Sequence, residues 1–512
     1  MHEERVDAVV IGSGAGGSVT AFRLGRAGAR TVVLERGRRL PPEAQSHDEL
    51  AMLANLYKEG GAQLTADLDL LLLQGSVVGG STVLTNGVCF RMPESVRRRW
   101  ATQGFALGRG ELQTAYERIE AALGVRPMSP VHLNPGTEPA VKGFEALGLD
   151  VQRFHKNLRG CLGCGYCNMG CPYGRKQDAA RTWIPWAEAA GVDVRARHEV
   201  LKLEARRGRI QAVVARDLER DETVRLRAER VVLAGGAIGS PELLLRSRLG
   251  GAAAGRRMGM HVGSILVAEM DEPIDAFLGD QMGWWHKGDG FALEQVHNPP
   301  MTFALTVPGR SELHHERTGR YRHLTSAGVL VPTPMSARVV LGRLGRLAKV
   351  PRADVLYKAE ASVVAALRRG FDRLARVYLA GGARRVFVPL HQGSCVEHVD
   401  ELPAAIARIR RPKDVPGLGT AHPQGGAVAG DEARTSVVDA SLQVHGVQGL
   451  YVVDASVFPS CVEVNPQLTV MAVADAVSTR WGLPPSEPPM SPAPSPARAL
   501  EVEREEETVC SS

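Results

Sequence analysis

The sequence predicts an α/β fold that begins with a Rossmann-like βαβ unit. An apolar strand at residues 6–11 leads into glycines at positions 12, 14 and 17. A helical stretch and a second apolar strand, Thr31–Leu34, follow directly. The rest of the N-terminal third is rich in glycine and keeps alternating strand-like and helix-like stretches, which is typical of α/β domains.

The first turn of this unit has the residues that a dinucleotide site needs. Gly12 permits a tight turn, Gly14 lets the backbone approach a pyrophosphate, and Gly17 allows the helix to pack closely on the strand. The start of the helix offers unpaired N–H groups to phosphate. An acid at the end of the second strand can accept hydrogen bonds from ribose hydroxyls and disfavours NADP. The candidate cofactor contacts are Gly12, Gly14, Ala15, Gly16, Gly17 and Glu35.

Length and composition indicate a large globular protein without a nucleic-acid partner. The chain has 512 residues, 44% apolar residues and a net charge of only +6. No apolar stretch of about 18 residues predicts a membrane span. The first strand begins almost at once, which leaves no room for a signal peptide and favours a cytoplasmic protein. The short apolar run at residues 68–73 predicts a buried helix, with peripheral membrane contact or a lipid-substrate surface as the alternative.

Changes in residue composition and in strand-like and helix-like patterns along the chain predict four segments. Residues 1–260 form the first part of the nucleotide-binding domain and include a cysteine-rich loop at 155–178. Residues 261–415 form a substrate-binding domain, residues 416–482 return to the first domain, and residues 483–512 are a disordered tail rich in Pro, Ser and acids. Helices are expected at 106–125 and 358–380, and strands at 265–270, 301–307 and 327–333.

Four further motifs occur in order along the chain: GSVVGGST at 75–82, GGAIGSPELL at 235–244, GTAHPQGG at 419–426, and a stretch from Leu450 to Thr469. Together with the N-terminal unit they resemble the glucose–methanol–choline (GMC) oxidoreductases over residues 5–482. The resemblance implies a Rossmann-like FAD-binding domain with an inserted α+β substrate-binding, or cap, domain. Because residues 75–91 contain no histidine, FAD is expected to be bound non-covalently.

The resemblance also implies where the cofactor is held. A polar loop at positions 79–81 offers N–H groups to phosphate or flavin oxygens. Thr85 stands where the family commonly has asparagine, with Asn86 next to it. Ser240 and Pro241 are expected to cap and open a helix. The implied FAD contacts are Gly79, Gly80, Ser81, Asn86, Val200, Asp454, Ala455, Pro466 and Thr469.

Two residues are implied to carry the chemistry, which is oxidation of an alcohol by hydride transfer to the flavin. His422 matches the family's catalytic histidine, and an imidazole has a suitable pKa for taking the hydroxyl proton. Asn465 matches the second position and would hydrogen-bond the substrate oxygen. The implied substrate is a bulky apolar alcohol, such as a long-chain alcohol or a sterol. The electron acceptor, whether oxygen or a quinone or cytochrome partner, stays open.

Four cysteines with ferredoxin-like spacing form a candidate metal site: Cys161, Cys164, Cys167 and Cys171. The spacing suits one iron–sulfur cluster, and zinc or a structural loop of reduced or disulfide-linked thiols are the alternatives. The loop also resembles one in the GMC branch that includes long-chain-alcohol oxidases. Two other functions remain open, namely an FAD-dependent dehydrogenase of another class with such a cluster, and a non-enzymatic redox sensor.

Overall fold

The computed structural model describes residues 2–342, 353–391 and 393–485. Most of the predicted disordered tail, from residue 486 on, lies outside the described residues. The first residue of the predicted tail, Leu483, is described, and its carbonyl accepts a hydrogen bond from Arg23.

A parallel sheet forms the centre of the first domain. Its neighbouring strands, in order, are Leu450–Val452, Arg230–Leu233, Ala8–Ile11, Thr31–Leu34 and Asp193–Arg195. After strand Ala8–Ile11, the next strand of the chain, Thr31–Leu34, pairs on one side of it. The later strand Arg230–Leu233 pairs on its other side. In parallel sheets a ligand crevice forms at the carboxyl ends of the strands where the order reverses in this way. The structure thus confirms the predicted Rossmann-like unit.

Three helices of this domain pack against one another. Ala15–Arg26 packs against Trp183–Ala189 and against Gln467–Arg480. Arg23 is completely buried and donates to the Asp475 side chain and main chain, which joins the first helix to the last one. Buried charges persist where they are paired and hydrogen-bonded, so this contact fixes the second halves of the two helices relative to each other.

A smaller, largely antiparallel sheet lies beside the parallel one. Its strands run in the order His2–Arg5, Glu222–Arg227, Arg209–Asp217 and His198–Arg206. The His198 N–H donates to the Glu35 carbonyl, so this sheet begins next to the acid that is predicted to bind ribose.

The largest sheet contains most strands of the predicted substrate-binding domain, while Arg338–Leu341 and Ala353–Leu356 pair with each other. Helix Ala361–Ala380 covers one of its faces, where Gly370 lies against Val329. Strands from outside residues 261–415 join this sheet, so the boundaries at 260/261 and 415/416 remain a proposal. Its strands, in order, are Ser394–Val396, Arg385–Val388, His261–Glu269, Leu324–Pro332, Ala292–Gln295, Trp284–Lys287 and Gln152–Arg153, with Gly419–Thr420 and Leu71–Leu72 attached at one side.

Three local predictions are wrong. Residues 301–307 were expected to be a strand, but Pro300–Ala304 is a helix that starts at two prolines. In the run 68–73 only Leu71–Leu72 is regular, as a short strand in which burial alternates, and not the expected helix. The helix expected to open at Ser240 begins four residues earlier, at Gly236.

The remaining helices link and cover these sheets. The predicted helix at 106–125 is confirmed as Arg109–Leu123. In the described part of the chain, no helix is both long enough and apolar enough to span a membrane. The other helices are Glu49–Leu56, Glu94–Thr102, Thr137–Ala146, Ser311–Gly319 and Leu402–Ala407.

Candidate active site

Two of the predicted cofactor loops are joined through Ser13. Its hydroxyl donates to Glu35 Oε2 at 2.7 Å and accepts from the Gly79 N–H at 2.9 Å. Glu35 also accepts from the Ser13 and Gly37 N–H groups at 3.0 and 2.7 Å. The glycine loop of the βαβ unit and the loop at positions 79–81 therefore form one continuous surface, with the carboxylate of Glu35 oriented by the backbone.

The glycines of the first turn differ in why a side chain is absent there. A Cβ added at Gly12, Gly16 or Gly17 would lie within 2.4 Å of a backbone carbonyl oxygen, so packing inside the protein excludes any side chain there. A Cβ added at Gly14 would meet only the Gly80 Cα, at 3.9 Å. Packing does not require a glycine at this position, but a ligand that lies on it would. This open side fits the pyrophosphate of a dinucleotide.

The helix that follows Gly14 provides a second feature that suits a phosphate group. Gly14 is the cap residue of helix Ala15–Arg26, and no side chain caps the first N–H groups of this helix. Helix starts with unpaired N–H groups bind phosphate, and the helix dipole favours negative charge there. The residues present thus fit a bound dinucleotide on both shape and charge.

Asp454 has a structural role within this site. Its carboxylate accepts from the Gly236 and Ser456 N–H groups and from the Ser240 hydroxyl, at 2.6–2.9 Å. These bonds hold the segment after strand Leu450–Val452 against the start of helix Gly236–Ser247. Burial raises the pKa of Asp454. With the side chain thus engaged, we propose that Asp454 and Ala455 meet FAD through their backbone.

We propose that strand His198–Arg206 forms the adenine side of the site. Val200 is buried in this strand and pairs with Ala215, next to a register shift. Its carbonyl accepts from Arg246 at 3.3 Å. The strand begins beside Glu35, so the proposed backbone contact of Val200 with adenine is compatible with its position.

The predicted flavin loop is held by a lysine that the sequence did not single out. Lys176 is completely buried, and its ammonium group donates to the carbonyls of Val83, Thr85 and Cys167. It therefore connects the loop that follows Gly80 and Ser81 to the cysteine-rich loop. Ser81 itself is exposed, and its hydroxyl accepts from the Gly75 N–H.

Asn86 is partly engaged at the end of this flavin loop. Its amide donates to the sulfur of Met282 at 3.0 Å, while its buried Oδ1 has no protein partner. A buried carbonyl oxygen without a donor is costly, so a ligand that donates to it would be favoured. We propose that Asn86 takes over the contact that the family's asparagine makes.

His422 contacts another histidine. Its Nδ1 lies 3.3 Å from Nδ1 of His261, and the two rings meet edge to face. The His422 N–H donates to Thr420, and its carbonyl accepts from the Gln424 amide at 3.3 Å. Burial lowers the pKa of His422 to about 4, so the imidazole is neutral at physiological pH. A neutral imidazole can accept a proton.

Asn465 contacts a glutamate from the large sheet. Its side chain hydrogen-bonds Glu294, which is buried in strand Ala292–Gln295. Burial raises the pKa of Glu294 to about 7, and the bond to Asn465 opposes this rise. The buried Oδ1 of Asn465 has no hydrogen-bond partner in the protein. The side-chain amide nitrogen and oxygen of Gln467, two residues further on, also have none. Buried polar atoms without partners are costly, so a ligand that bonds to them would be favoured.

Gln424 connects the motifs of the two predicted catalytic residues. It is fully buried, donates to the His422 carbonyl and accepts from the Val462 N–H at 3.0 Å. Pro466 then precedes helix Gln467–Arg480, whose start has no side-chain cap. Thr469, in its first turn, is hydrogen-bonded to Tyr116 at 2.8 Å. Its hydroxyl is thus engaged within the protein.

The cysteine-rich loop brings its four predicted ligands around one small cavity, which Asp280 also lines. In the described residues, however, no three or more His, Cys, Asp or Glu side chains are arranged to hold a metal. All four thiols are free, and backbone N–H groups donate to the sulfurs of Cys161 and Cys171. Burial raises the pKa of Cys161, Cys164 and Cys167, which favours the thiol over the metal-binding thiolate. This arrangement gives the predicted cluster no support.

Sequence reasoning missed His261, Glu294, Gln467 and Lys176. Glu294 directly follows the apolar residues 291–293, and a charged residue is almost never fully buried unless it is paired. That signal was available. His261 could not be found in this way, because its contact with His422 joins positions 161 residues apart.

Comparison with known proteins decides the family. Sequence patterns described as GMC oxidoreductase match residues 53–266 and 343–474, and one described as an NAD(P)-binding Rossmann-like domain matches residues 10–64. The chain is 33% identical over 484 residues to an uncharacterized GMC-type oxidoreductase of Mycobacterium tuberculosis, covering 93% of this chain and 75% of that protein. The chain belongs to the GMC oxidoreductase family.

Two further relatives are informative about this GMC oxidoreductase. A long-chain-alcohol oxidase of Arabidopsis thaliana is 27% identical over 512 residues, covering 93% of this chain and 68% of the relative. The crystal structure of pyridoxine 4-oxidase from Mesorbium loti has a TM-score of 0.70 at 18% identity, covering 93% and 99% of the two chains. The second likeness confirms the α/β fold with its substrate domain. Family and fold together support FAD as the cofactor and CH–OH oxidation as the general reaction.

Proposed function

We propose that this GMC oxidoreductase oxidises the CH–OH group of a bulky apolar alcohol, either a long-chain alcohol or a sterol. The observation that carries the proposal is the partly buried imidazole of His422, together with the unpartnered Oδ1 of Asn465 and the unpartnered amide atoms of Gln467. These groups supply a proton acceptor and hydrogen-bonding partners for a small polar ligand. The long-chain-alcohol oxidase among the relatives supports the choice of substrate.

His422 and Asn465 have separate tasks in this proposal. His422 takes the hydroxyl proton of the alcohol on Nε2, and Asn465 holds the hydroxyl oxygen in place. FAD, when bound, supplies the hydride acceptor. Glycines at positions 12–17 and 79–80 receive the cofactor, which is bound non-covalently.

Anaerobic reduction of the bound flavin by a panel of alcohols tests this proposal. The panel includes primary alcohols from about C2 to C16, a sterol and a sugar, and bleaching of the flavin absorbance is the readout. We expect reduction rates to rise with chain length or to be highest with the sterol. Reduction by the sugar alone, or by none of these compounds, would contradict the proposed substrate class.

A second candidate function concerns the electron acceptor. All four cysteines of the loop at 155–178 line one small cavity, but in the described residues they are not arranged to hold a metal, so this candidate rests on their ferredoxin-like spacing alone. With an iron–sulfur cluster there, the protein would be a dehydrogenase that passes electrons to a quinone or cytochrome. Iron and acid-labile sulfide in freshly purified protein, in stoichiometric amounts with FAD, are the expected result for this candidate. FAD without iron or sulfide would exclude it and leave oxygen as the favoured acceptor.

A further inference from the structure

His261 is the first residue of strand His261–Glu269 in the large sheet. Its side chain is only 4% exposed. The contact with His422, 3.3 Å between the two Nδ1 atoms, crosses from this sheet to the GTAHPQGG motif. It thus joins an element of the predicted substrate-binding domain to the predicted catalytic residue.

The backbone fixes this contact. Just before His261, the strand Met258–Gly259 pairs in antiparallel register with Gln424–Gly425, which follows His422. On its other side, His261 pairs with Pro332 of the neighbouring strand. Two histidines held by paired backbone segments have little freedom to separate, so the contact between the rings is built into the fold.

Packing alone does not explain a histidine at this position. The nearby residues along the chain, Met258, Met260 and Val262, are completely buried and apolar. The Nε2 of His261 is buried and has no hydrogen-bond partner, which destabilises the fold relative to an apolar side chain of similar size. The contact of its Nδ1 with His422 is the compensating interaction that the structure offers.

The tautomers of the two rings decide what His422 can do. A neutral imidazole has one N–H and one lone pair, so one Nδ1 must donate and the other must accept. If His422 accepted on Nδ1, its proton would sit on Nε2, and that nitrogen could not take another from the alcohol. If His422 donates from Nδ1, its Nε2 has the lone pair that a base needs.

We propose that His261 is a positioning residue that accepts a hydrogen bond from Nδ1 of His422 and so holds Nε2 of His422 ready for the hydroxyl proton. This inference rests on the proposed role of His422. The acceptor keeps its bond when Nε2 takes the proton, because the Nδ1–H remains in place and the ring gains positive charge. An aspartate has the same task next to the catalytic histidine of serine proteases. A neutral histidine performs it here without adding a charge to a buried site.

Three variants of His261 test the inference. In His261→Asn the side-chain oxygen lies close to the original Nδ1 and can still accept. In His261→Leu a side chain of similar size cannot accept, and in His261→Gln the acceptor is displaced by one bond. For each holoenzyme, stopped-flow reduction at increasing alcohol concentration separates the limiting rate constant from the alcohol Kd, with FAD content and thermal stability as controls.

We expect His261→Leu to retain FAD and to bind alcohol with an unchanged Kd, while its limiting reduction rate falls about 10- to 100-fold. His261→Asn should recover to within a few-fold of the wild type, and His261→Gln should lie in between. A wild-type rate in His261→Leu would overturn the inference, and so would equal losses in the Leu and Asn variants.

His422→Ala separates this inference from the proposed function. If His422→Ala is inactive and His261→Leu is fully active, only the role of His261 is wrong. If His422→Ala reduces its flavin at the wild-type rate, the proposed catalytic role fails and the inference fails with it.

Discussion

Gly14 offers the sharpest test of where the cofactor lies, because the protein itself leaves room for a side chain there. In Gly14→Ala the new methyl group would meet only the Gly80 Cα at 3.9 Å, and the backbone φ of −71° suits alanine. The remaining cost is the poorer helix cap, at most about 1 kcal/mol. A pyrophosphate that lies on Gly14 would collide with the same methyl group. We therefore expect at least a tenfold weaker FAD affinity, about 1.4 kcal/mol, with little change in apoprotein stability.

Gly16→Ala is the matched control two residues away. Its methyl group would lie 1.9 Å from the Val453 carbonyl oxygen, so helix Ala15–Arg26 or the segment at Val453 must move. Such overpacking destabilises a fold by about 1–3 kcal/mol or more. The control should therefore lose apoprotein stability, which Gly14→Ala should keep.

Both quantities can be measured on protein from which FAD has been removed. Thermal unfolding of the apoprotein gives stability, and titration with FAD, followed by quenching of flavin fluorescence, gives the Kd. Wild-type FAD affinity in Gly14→Ala would refute the proposed position of the pyrophosphate. An equal loss of apoprotein stability in both variants would refute the view that packing leaves Gly14 open.

Two further predictions concern buried charged groups. In the folded protein the pKa of Glu294 is about 7, against 4.5 for an ordinary glutamate carboxyl. The folded state therefore binds the carboxyl proton more tightly than the unfolded state does. As the pH rises from 4.5 to about 7, the protein loses about 3 kcal/mol of its free energy of unfolding. Glu294→Gln stays neutral, so its melting temperature relative to wild type should rise between about pH 5 and pH 8; a constant difference would contradict the assigned shift. Lys176→Met leaves three carbonyls without their donor and should cost about 3 kcal/mol or more, with loss of FAD from the adjoining loop. Lys142→Met, on the surface, is the control, and equal melting temperatures for the two variants would contradict the role of Lys176.

Local motifs made the Rossmann-like part predictable. The strand Thr31–Leu34 was placed correctly, and Gly17 is required by its close approach to the Gly12 carbonyl oxygen within the strand–turn–helix unit. The carbonyl oxygens that exclude a side chain at Gly12 and Gly16 belong to the distant residues Ala234 and Val453. By contrast, the run at 68–73 was assigned a helix because short apolar runs do not distinguish a helix from a strand. Its pairing with the distant strand Gly419–Thr420 decided the outcome.

The residues that contact the two predicted catalytic side chains could not be predicted, because these contacts also join distant parts of the sequence. His422 and Asn465 lie in recognisable motifs, but their partners His261 and Glu294 belong to strands of the large sheet that are far from both motifs in the sequence. Paired residues share a face, and Glu294 pairs with Gly328, which pairs with Ile265. Because side chains alternate along a strand, Glu294 and His261 point to the same face of the sheet. Only the strand register reveals this relation.

The most direct test of the proposed reaction is anaerobic flavin reduction in wild type and His422→Ala with the best alcohol of the panel. Both proteins should purify with bound yellow flavin, since His422 holds no part of the proposed FAD site. We predict rapid bleaching in the wild type and at least a hundredfold slower bleaching in His422→Ala, within the range that general acid–base catalysis contributes. Equal rates of flavin reduction in the two proteins would contradict the role of His422 as the base.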